Sequence, residues 1–164
     1  MKKNYFIYAF LFLFLYISTA MTAQTNSTIE SSNMRAIAMR LKPGEDVKIM
    51  LDNFIKEHHI KAACMITCCG SLQQATIRYA DKKDAAVLNG KFEIVSLIGT
   101  LSETGSHLHI SISDENGQTI GGHLKEGTIV YTTAEIVIGI LSEYEFDRVP
   151  DSSSGYNELQ IKNN

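Results

Sequence analysis

The segment 105–124 constrains the fold more than any other part of the chain. It reads G-S-H-L-H-I-S-I-S-D-E-N-G-Q-T-I-G-G-H-L, in which polar and apolar residues alternate on both sides of one turn. Alternation with a period of two is typical of a β-strand that buries one face. Three apolar residues would share the buried face of the first strand: Leu108, Ile110 and Ile112. The segment therefore predicts an antiparallel β-hairpin.

The register across the turn decides which side chains share a face, because a slip of one residue turns a whole strand over. A three-residue loop over 115–117, with Gly117 in the left-handed conformation, pairs His109 with His123. A four-residue loop would instead place the apolar Ile120 among the histidines. The hydrophobic pattern selects the three-residue loop.

In that register three imidazoles lie on one face, those of His107, His109 and His123. Paired and diagonal residues of neighbouring strands are within reach of each other, so the three rings can converge on one point. We predict a divalent-metal site there, with zinc as the expected ion, and the glycines 121–122 would leave room beside it. An open fourth coordination position would be typical of a catalytic site. A solvated sheet face or a subunit contact are the alternatives.

Residues 1–23 have the layout of a secretory signal peptide. Lys2 and Lys3 precede an uncharged apolar run, and small residues follow it. The run is too short for a comfortable membrane span. We expect cleavage after Ala23, or after Ala20, and hence an exported protein that is not held in a membrane after cleavage. A retained signal anchor is the alternative.

The remaining length suits one domain. Residues 24–33 are polar and predict a disordered lead-in, 34–149 the folded domain, and 150–164 a flexible tail rich in Ser, Gly and Asn. We expect one helix, which starts at 43–46 and runs to about residue 58. The expected strands are 34–41, 62–69, 73–79, 91–101, 107–113, 118–124 and 128–141. This order predicts an α+β fold, with a mainly antiparallel β-sheet packed against one helix.

Charge argues against a nucleic-acid partner. The formal net charge is −3, and loss of Lys2 and Lys3 with the leader would make it −5. Binding to nucleic acid depends on Lys and Arg that neutralise phosphates, and the basic residues here form no run.

The three cysteines, Cys64, Cys68 and Cys69, lie in one apolar stretch whose spacing favours buried thiols over disulfides.

Several motifs together resemble the PPC domain family, also called DUF296, over about residues 34–146. These motifs are R-L-K-P-G-E-D-V, C-C-G-S-L, F-E-I-V-S-L-I-G-T-L, and the hairpin sequence followed by T-A-E-I-V-I. The resemblance implies a homotrimer built on a mainly antiparallel sheet. The fold is also similar to that of acetolactate decarboxylase, a zinc enzyme with an H-x-H pair and a further histidine, a pattern that His107, His109 and His123 match. Plant members carry AT-hooks that bind DNA. This chain has none, so we do not carry over the DNA-binding label.

Four charged residues lie inside apolar strands and are candidates for chemistry beside the metal: Arg40, Arg78, Glu93 and Glu135. Burying any of them without a partner would be costly. A glutamate could serve as a fourth ligand or a general acid. A place on a sheet face or in a subunit contact is the alternative for each.

The sequence therefore predicts an exported, trimeric PPC-like protein whose function falls into one of two classes. The first is a small metal-dependent enzyme that binds a small-molecule ligand at the metal and polarises a carbonyl or activates water. The second is a non-catalytic assembly or binding module, in which the histidines are structural or vestigial.

Overall fold

The computed structural model describes residues 33–163, which form two antiparallel sheets and one α-helix. The elements in chain order are β1 (Met34–Leu41), α1 (Val47–Glu57), β2 (Ala63–Arg78), β3 (Ala86–Leu101), β4 (His107–Ser113), β5 (Thr119–Leu124), β6 (Ile129–Leu141), β7 (Tyr144–Pro150) and β8 (Asn157–Asn163). The predicted α+β class is confirmed. The predicted signal peptide and nearly all of the predicted lead-in lie outside the described residues. Within 33–163, no helix has the length and apolar character that a membrane crossing needs.

The larger sheet has six strands in the order β1-β6-β2-β3-β4-β5. Its last strand also pairs with the end of β2, where Ile77 lies opposite Leu124 and Arg78 opposite His123. The sheet therefore curls back on itself. This closure places an arginine directly beside one of the three histidines.

Asp46 caps the start of the helix, and its carboxylate accepts hydrogen bonds from the backbone N–H groups of Lys48 and Ile49. Its inner face follows the helical period, because Val47, Leu51 and Ile55 are four residues apart and are all buried. They pack into the core formed by one face of the sheet. The predicted helix is thus confirmed, and it ends at Glu57.

The predicted turn after residue 69 is wrong, because β2 runs without interruption from Ala63 to Arg78. Gly70 marks a bulge in this strand, and its register on β6 shifts between Gly70 and Leu72. A Cβ atom at Gly70 would lie 2.0 Å from the carbonyl oxygen of Thr133, so the glycine permits close approach of the two strands. β3 likewise begins at Ala86 and not at 91, since residues 86–89 already pair with β2.

The C-terminal segment differs from the expected flexible tail. Residues Asn157–Asn163 form β8, which pairs with β7 along its whole length. Of these two strands, only Phe146 is buried. The apolar residues of β8, Leu159 and Ile161, alternate with polar ones but remain exposed. The ladder is therefore held mainly by backbone hydrogen bonds.

The three cysteines are free, but they differ in environment. Cys68 is buried, Cys64 is half-buried and Cys69 is exposed, so the expectation of three buried thiols holds only for Cys68. Burial, with a smaller contribution from Cys69, raises the pKa of the Cys68 thiol to about 12. Cys68 is therefore a neutral core residue at physiological pH.

Candidate metal centre

The hairpin formed by β4 and β5 has the predicted register, with His109 paired to His123. The turn closes through two backbone hydrogen bonds, from Asp114 N–H to the Gln118 oxygen and from Gly117 N–H to the Asp114 oxygen. Gly117 has φ +77°, as the three-residue loop requires. We call β4, its loop and β5 the histidine hairpin.

The buried face of this hairpin determines which residues lie on its outer face. Leu108, Ile110 and Ile112 are at most 2% exposed and belong to the core. Because successive residues of a strand point to opposite sides, His107 and His109 emerge on the outer face, where both are exposed. His123 joins them from β5 and is half-buried.

The three imidazoles lie close together. The ring centroids are 5.0 Å apart for His107 and His109, 5.1 Å for His107 and His123, and 5.6 Å for His109 and His123. One nitrogen from each ring lies within 4.8 Å of the others. The two Nε2 atoms of His107 and His109 are 3.2 Å apart. Zinc–nitrogen bonds of about 2.0–2.1 Å in a tetrahedral site imply an edge of about 3.3 Å, so this pair is already spaced for a shared ion.

An unsatisfied nitrogen supports the same interpretation. Nδ1 of His123 is buried and has no hydrogen-bond partner among the described residues. Such a group costs about 1–3 kcal/mol, so buried nitrogens normally have a partner. A metal ion would be a suitable one, and a set of three imidazoles suits a divalent transition metal. The residues present therefore fit a metal site.

Burial and nearby positive charges keep two of the imidazoles neutral, which is the form that binds a metal ion. Burial, with a smaller contribution from the charge of Lys125, lowers the pKa of His123 to about 4. Partial burial and the charge of Arg148 lower the pKa of His107 below its usual value. Both imidazoles are therefore neutral at physiological pH, and a metal ion displaces no proton from them.

A cleft with a volume of about 620 Å³ opens beside two of the histidines, His107 and His123. The strands β7 and β8 with their connecting turn, which we call the C-terminal hairpin, form one of its sides through Arg148 and Tyr156. The charged residues of the lining are Arg78, Asp81, Lys125, Arg148 and Glu158. A site of this size can hold a small molecule.

Only one of the four predicted charged candidates lines this cleft, namely Arg78. Arg40 and Glu135 are exposed and lie opposite each other on β1 and β6, where Arg40 Nε donates a hydrogen bond to Thr133 Oγ1 at 2.9 Å. Glu93 is exposed on β3, opposite Ser71 and Ser113. These three occupy sheet-face positions, which was the alternative interpretation.

Sequence reasoning missed two cations of the cleft, Lys125 and Arg148. Lys125 follows His123 by two residues, so the strand period alone could have placed it on the histidine side. Arg148 comes from the C-terminal hairpin, and no local signal links it to the site. Its Nη2 donates a hydrogen bond of 2.6 Å to Oγ1 of Thr100, the residue paired with His107.

The glycines of β5 have a different role from the predicted one. A Cβ atom at Gly121 would lie 2.6 Å from the Ile110 oxygen, and one at Gly122 would lie 2.7 Å from the Arg78 oxygen. The missing side chains thus allow β5 to approach both β4 and β2. They make the strand closure possible, and they do not simply leave space for an ion.

Comparison with known sequences gives the same family as the motifs. The model of the Plants and Prokaryotes Conserved (PCC) domain matches residues 28–142. The bifunctional protein GlmU of Synechococcus sp. (strain JA-3-3Ab) is 41% identical over 134 residues, or 82% of this chain, but the chain spans only 22% of that protein. AT-hook motif nuclear-localized protein 16 of Arabidopsis thaliana is 26% identical over 142 residues, covering 80% of this chain and 55% of the plant protein.

Solved structures show the same fold. A hypothetical protein from Salmonella cholerae-suis superposes with a TM-score of 0.80 at 42% identity, covering 82% of this chain and 97% of its own. A protein from Archaeoglobus fulgidus, described as metal-containing, superposes with a TM-score of 0.67 at 24% identity, covering 80% and 99%. The family match spans most of the chain and agrees with the motif resemblance. This chain therefore belongs to the Plants and Prokaryotes Conserved (PCC) domain family.

Proposed function

We propose that this protein binds a divalent transition metal, with zinc as the expected ion, through His107, His109 and His123. The observation that carries the proposal is the convergence of three imidazoles, one of which has a buried nitrogen without a partner. The metal-containing relative from Archaeoglobus fulgidus and the resemblance to acetolactate decarboxylase support it further.

The donor set favours a reactive site over a structural one. Within 33–163, no cysteine, carboxylate or fourth histidine joins the cluster. Structural zinc sites almost always have four protein ligands, whereas catalytic sites have three and an open position. When bound, zinc would polarise a carbonyl or activate water. The residues of the cleft would bind and orient a small molecule beside it, so we favour a small metal-dependent enzyme.

A non-catalytic trimeric assembly or binding module is the second candidate. Exposure of His107 and His109 favours it, because it leaves both rings accessible to solvent or to another subunit. The two candidates share the metal site and differ in whether the cleft beside it receives a ligand.

Metal analysis of His107→Ala and His109→Ala tests the site. Each variant should lose the bound zinc and keep its circular dichroism spectrum, since both side chains point away from the core. His59→Ala is the matched control, because His59 is exposed near the end of the helix and contacts Glu103. Elemental analysis after dialysis measures the zinc content. Unchanged zinc in both hairpin variants would reject the site.

The trimer is also a proposal, supported by apolar side chains that remain exposed. Met34, Ile66, Val95 and Ile98 are 45–58% exposed, and a further subunit would remove their side chains from water. Light scattering coupled to size exclusion should give the mass of three chains. Ile66→Glu should dissociate the trimer without unfolding it, whereas Ile136→Glu should unfold the chain because Ile136 is only 1% exposed. A wild-type monomer at micromolar concentration would refute the proposal.

We also propose that the protein is exported through a signal peptide over residues 1–23. The mature protein would bind neither a membrane nor nucleic acid. The layout of Lys2, Lys3 and the apolar run supports export, and a net charge of −5 after cleavage opposes binding to DNA. Mass spectrometry of the protein purified from its producing cells would show the cleavage site directly. An intact Met1 would reject this part.

A further inference from the structure

The cleft beside the histidines concentrates positive charge. Arg78, Lys125 and Arg148 line it, together with the carboxylates of Asp81 and Glu158. The four ion pairs found in residues 33–163 join other side chains, so no cation of the cleft has a carboxylate oxygen within 4.0 Å. The two carboxylates offset only part of the mutual repulsion between the three cations. The arrangement therefore favours a further anion.

Most hydrogen-bond donors of these cations are uncommitted. Arg148 donates one side-chain hydrogen bond, to Thr100, and Arg78 donates one of 3.3 Å to the Lys82 oxygen. The Lys125 ammonium donates none within the described chain. An arginine carries five N–H donors and a lysine three, so the cleft offers many donors to a ligand. Arginine forks match carboxylate and phosphate oxygens especially well.

The proposed metal ion would increase the net positive charge of the cleft. Three cations and two carboxylates give the cleft a formal charge of +1, and a divalent ion at the histidines raises it to +3. Burial lowers the pKa of Arg148, because its charged form is partly removed from water, and the charge of Glu158 offsets this only in part. An anionic ligand would offset both the mutual repulsion and the lost hydration.

We propose that the cleft binds the carboxylate or phosphate group of a small molecule through Arg78, Lys125 and Arg148, beside the metal. This inference rests on the proposed metal site and names the class of molecule that would reach it. The volume of about 620 Å³ lies within the usual range of small-molecule sites. Arg148 is held by Thr100, next to His107, so an anion on its guanidinium would lie near the metal ligands.

Calorimetric titration of the zinc-loaded full-length protein tests the inference. Lactate is the carboxylate probe and phenyl phosphate the phosphate probe, and lactamide and phenol are their uncharged counterparts. We expect saturable binding of at least one anion and of neither uncharged compound. The stronger of the two anions identifies the charged group. Equal binding of an anion and its uncharged counterpart would overturn the inference.

Variants locate the binding. Arg148→Gln should weaken the anion about tenfold or more, as expected when one charged hydrogen-bond partner is removed. Lys125→Gln should act in the same direction, and it should leave the fold intact because the ammonium donates no hydrogen bond within the described chain. Arg35→Gln is the matched control, since Arg35 is exposed on β1 and does not line the cleft. If both cleft variants bind the anion as tightly as Arg35→Gln does, the inference is wrong.

Zinc content, measured on the same samples, separates the two proposals. Bound zinc without anion binding would overturn this inference and leave the proposed metal site standing. Anion binding that Arg148→Gln weakens, in a protein that takes up no zinc, would support the cationic cleft and reject the metal site. In a zinc-binding wild type, His109→Ala should also weaken the anion, because the charge of the ion is lost. An unchanged anion affinity in His109→Ala would overturn the placement beside the metal.

Discussion

The histidine hairpin and the C-terminal hairpin meet at the same cleft, but they are stabilised in opposite ways. In the first, Leu108, Ile110 and Ile112 anchor one face of β4 in the core. In the second, Phe146 is the single buried residue of the two strands. One hairpin is thus fixed by hydrophobic burial and the other mainly by its backbone ladder. A site built from both combines a rigid side with a less stable one.

This difference fits the two tasks that we propose for them. Metal ligands need a fixed geometry, and they lie on the strand pair whose opposite face is packed in the core. The C-terminal hairpin contributes Arg148 and Tyr156, which would contact a ligand. Metal affinity should therefore depend on the first hairpin, and ligand preference on the second.

The largest expected effect is a difference in unfolding free energy between two variants, each of which truncates one leucine in one of the hairpins. Leu108→Ala should lower the free energy of unfolding by about 2–5 kcal/mol, because it leaves a cavity in the core. Leu159→Ala should lower it by less than about 1 kcal/mol, since Leu159 is 36% exposed on β8. Urea unfolding of both variants measures the difference. Similar losses would show that the C-terminal hairpin is also part of the cooperative core.

In the zinc-free protein, the two hairpins should contribute to the pH dependence of the unfolding free energy in different pH ranges, and this effect should be smaller. The pKa of His123 is lowered from 6.5 to about 4, so between these values the unfolded chain binds a proton that the folded chain does not. Stability should therefore fall as the pH drops through this window. In the C-terminal hairpin, hydrogen bonds from Ser153 lower the pKa of Asp151 below 3.8, so its contribution should be lost only at still lower pH.

Two variants test which residue causes the loss of stability in each pH range. His123→Gln should flatten the loss of stability between pH 6.5 and about 4, and Asp151→Asn should leave that window unchanged. Unfolding free energies from urea titrations at several pH values give the two profiles. An unchanged profile in His123→Gln would mean that another group causes the loss.

The two hairpins also show what a sequence reveals. The register of the histidine hairpin was predictable, because a wrong register would have placed Ile120 among the histidines. The C-terminal hairpin was not, since the alternation in E-L-Q-I-K is short and stands in a segment rich in Ser, Gly and Asn. Arg148 could not be assigned to the site for the same reason. The expected break between strands 62–69 and 73–79 is a bulge at Gly70, because a glycine at a bulge and a glycine in a turn look alike in sequence.

The smallest expected effect is on DNA binding, for which neither hairpin is suited. The histidine hairpin carries Asp114 and Glu115 and no Lys or Arg, so its formal charge is −2. The C-terminal hairpin is also at −2, from two basic and four acidic residues: Arg148, Lys162, Glu145, Asp147, Asp151 and Glu158. The net charge of both hairpins would thus repel the phosphate backbone of a DNA duplex, and the cations of the cleft are too few to reverse the net charge of the molecule.

Fluorescence anisotropy with mixed-sequence and A·T-rich duplexes checks this expectation. At physiological salt, binding should be no tighter than the nonspecific range of about 10⁻⁴–10⁻⁶ M. Arg148→Gln should leave the anisotropy curves unchanged, although the same substitution should weaken a small anion. Submicromolar binding that weakens steeply with added salt would contradict the prediction. If Arg148→Gln also removed that binding, the cleft would bind nucleic acid, and the proposed division between a metal hairpin and a small-ligand hairpin would fail.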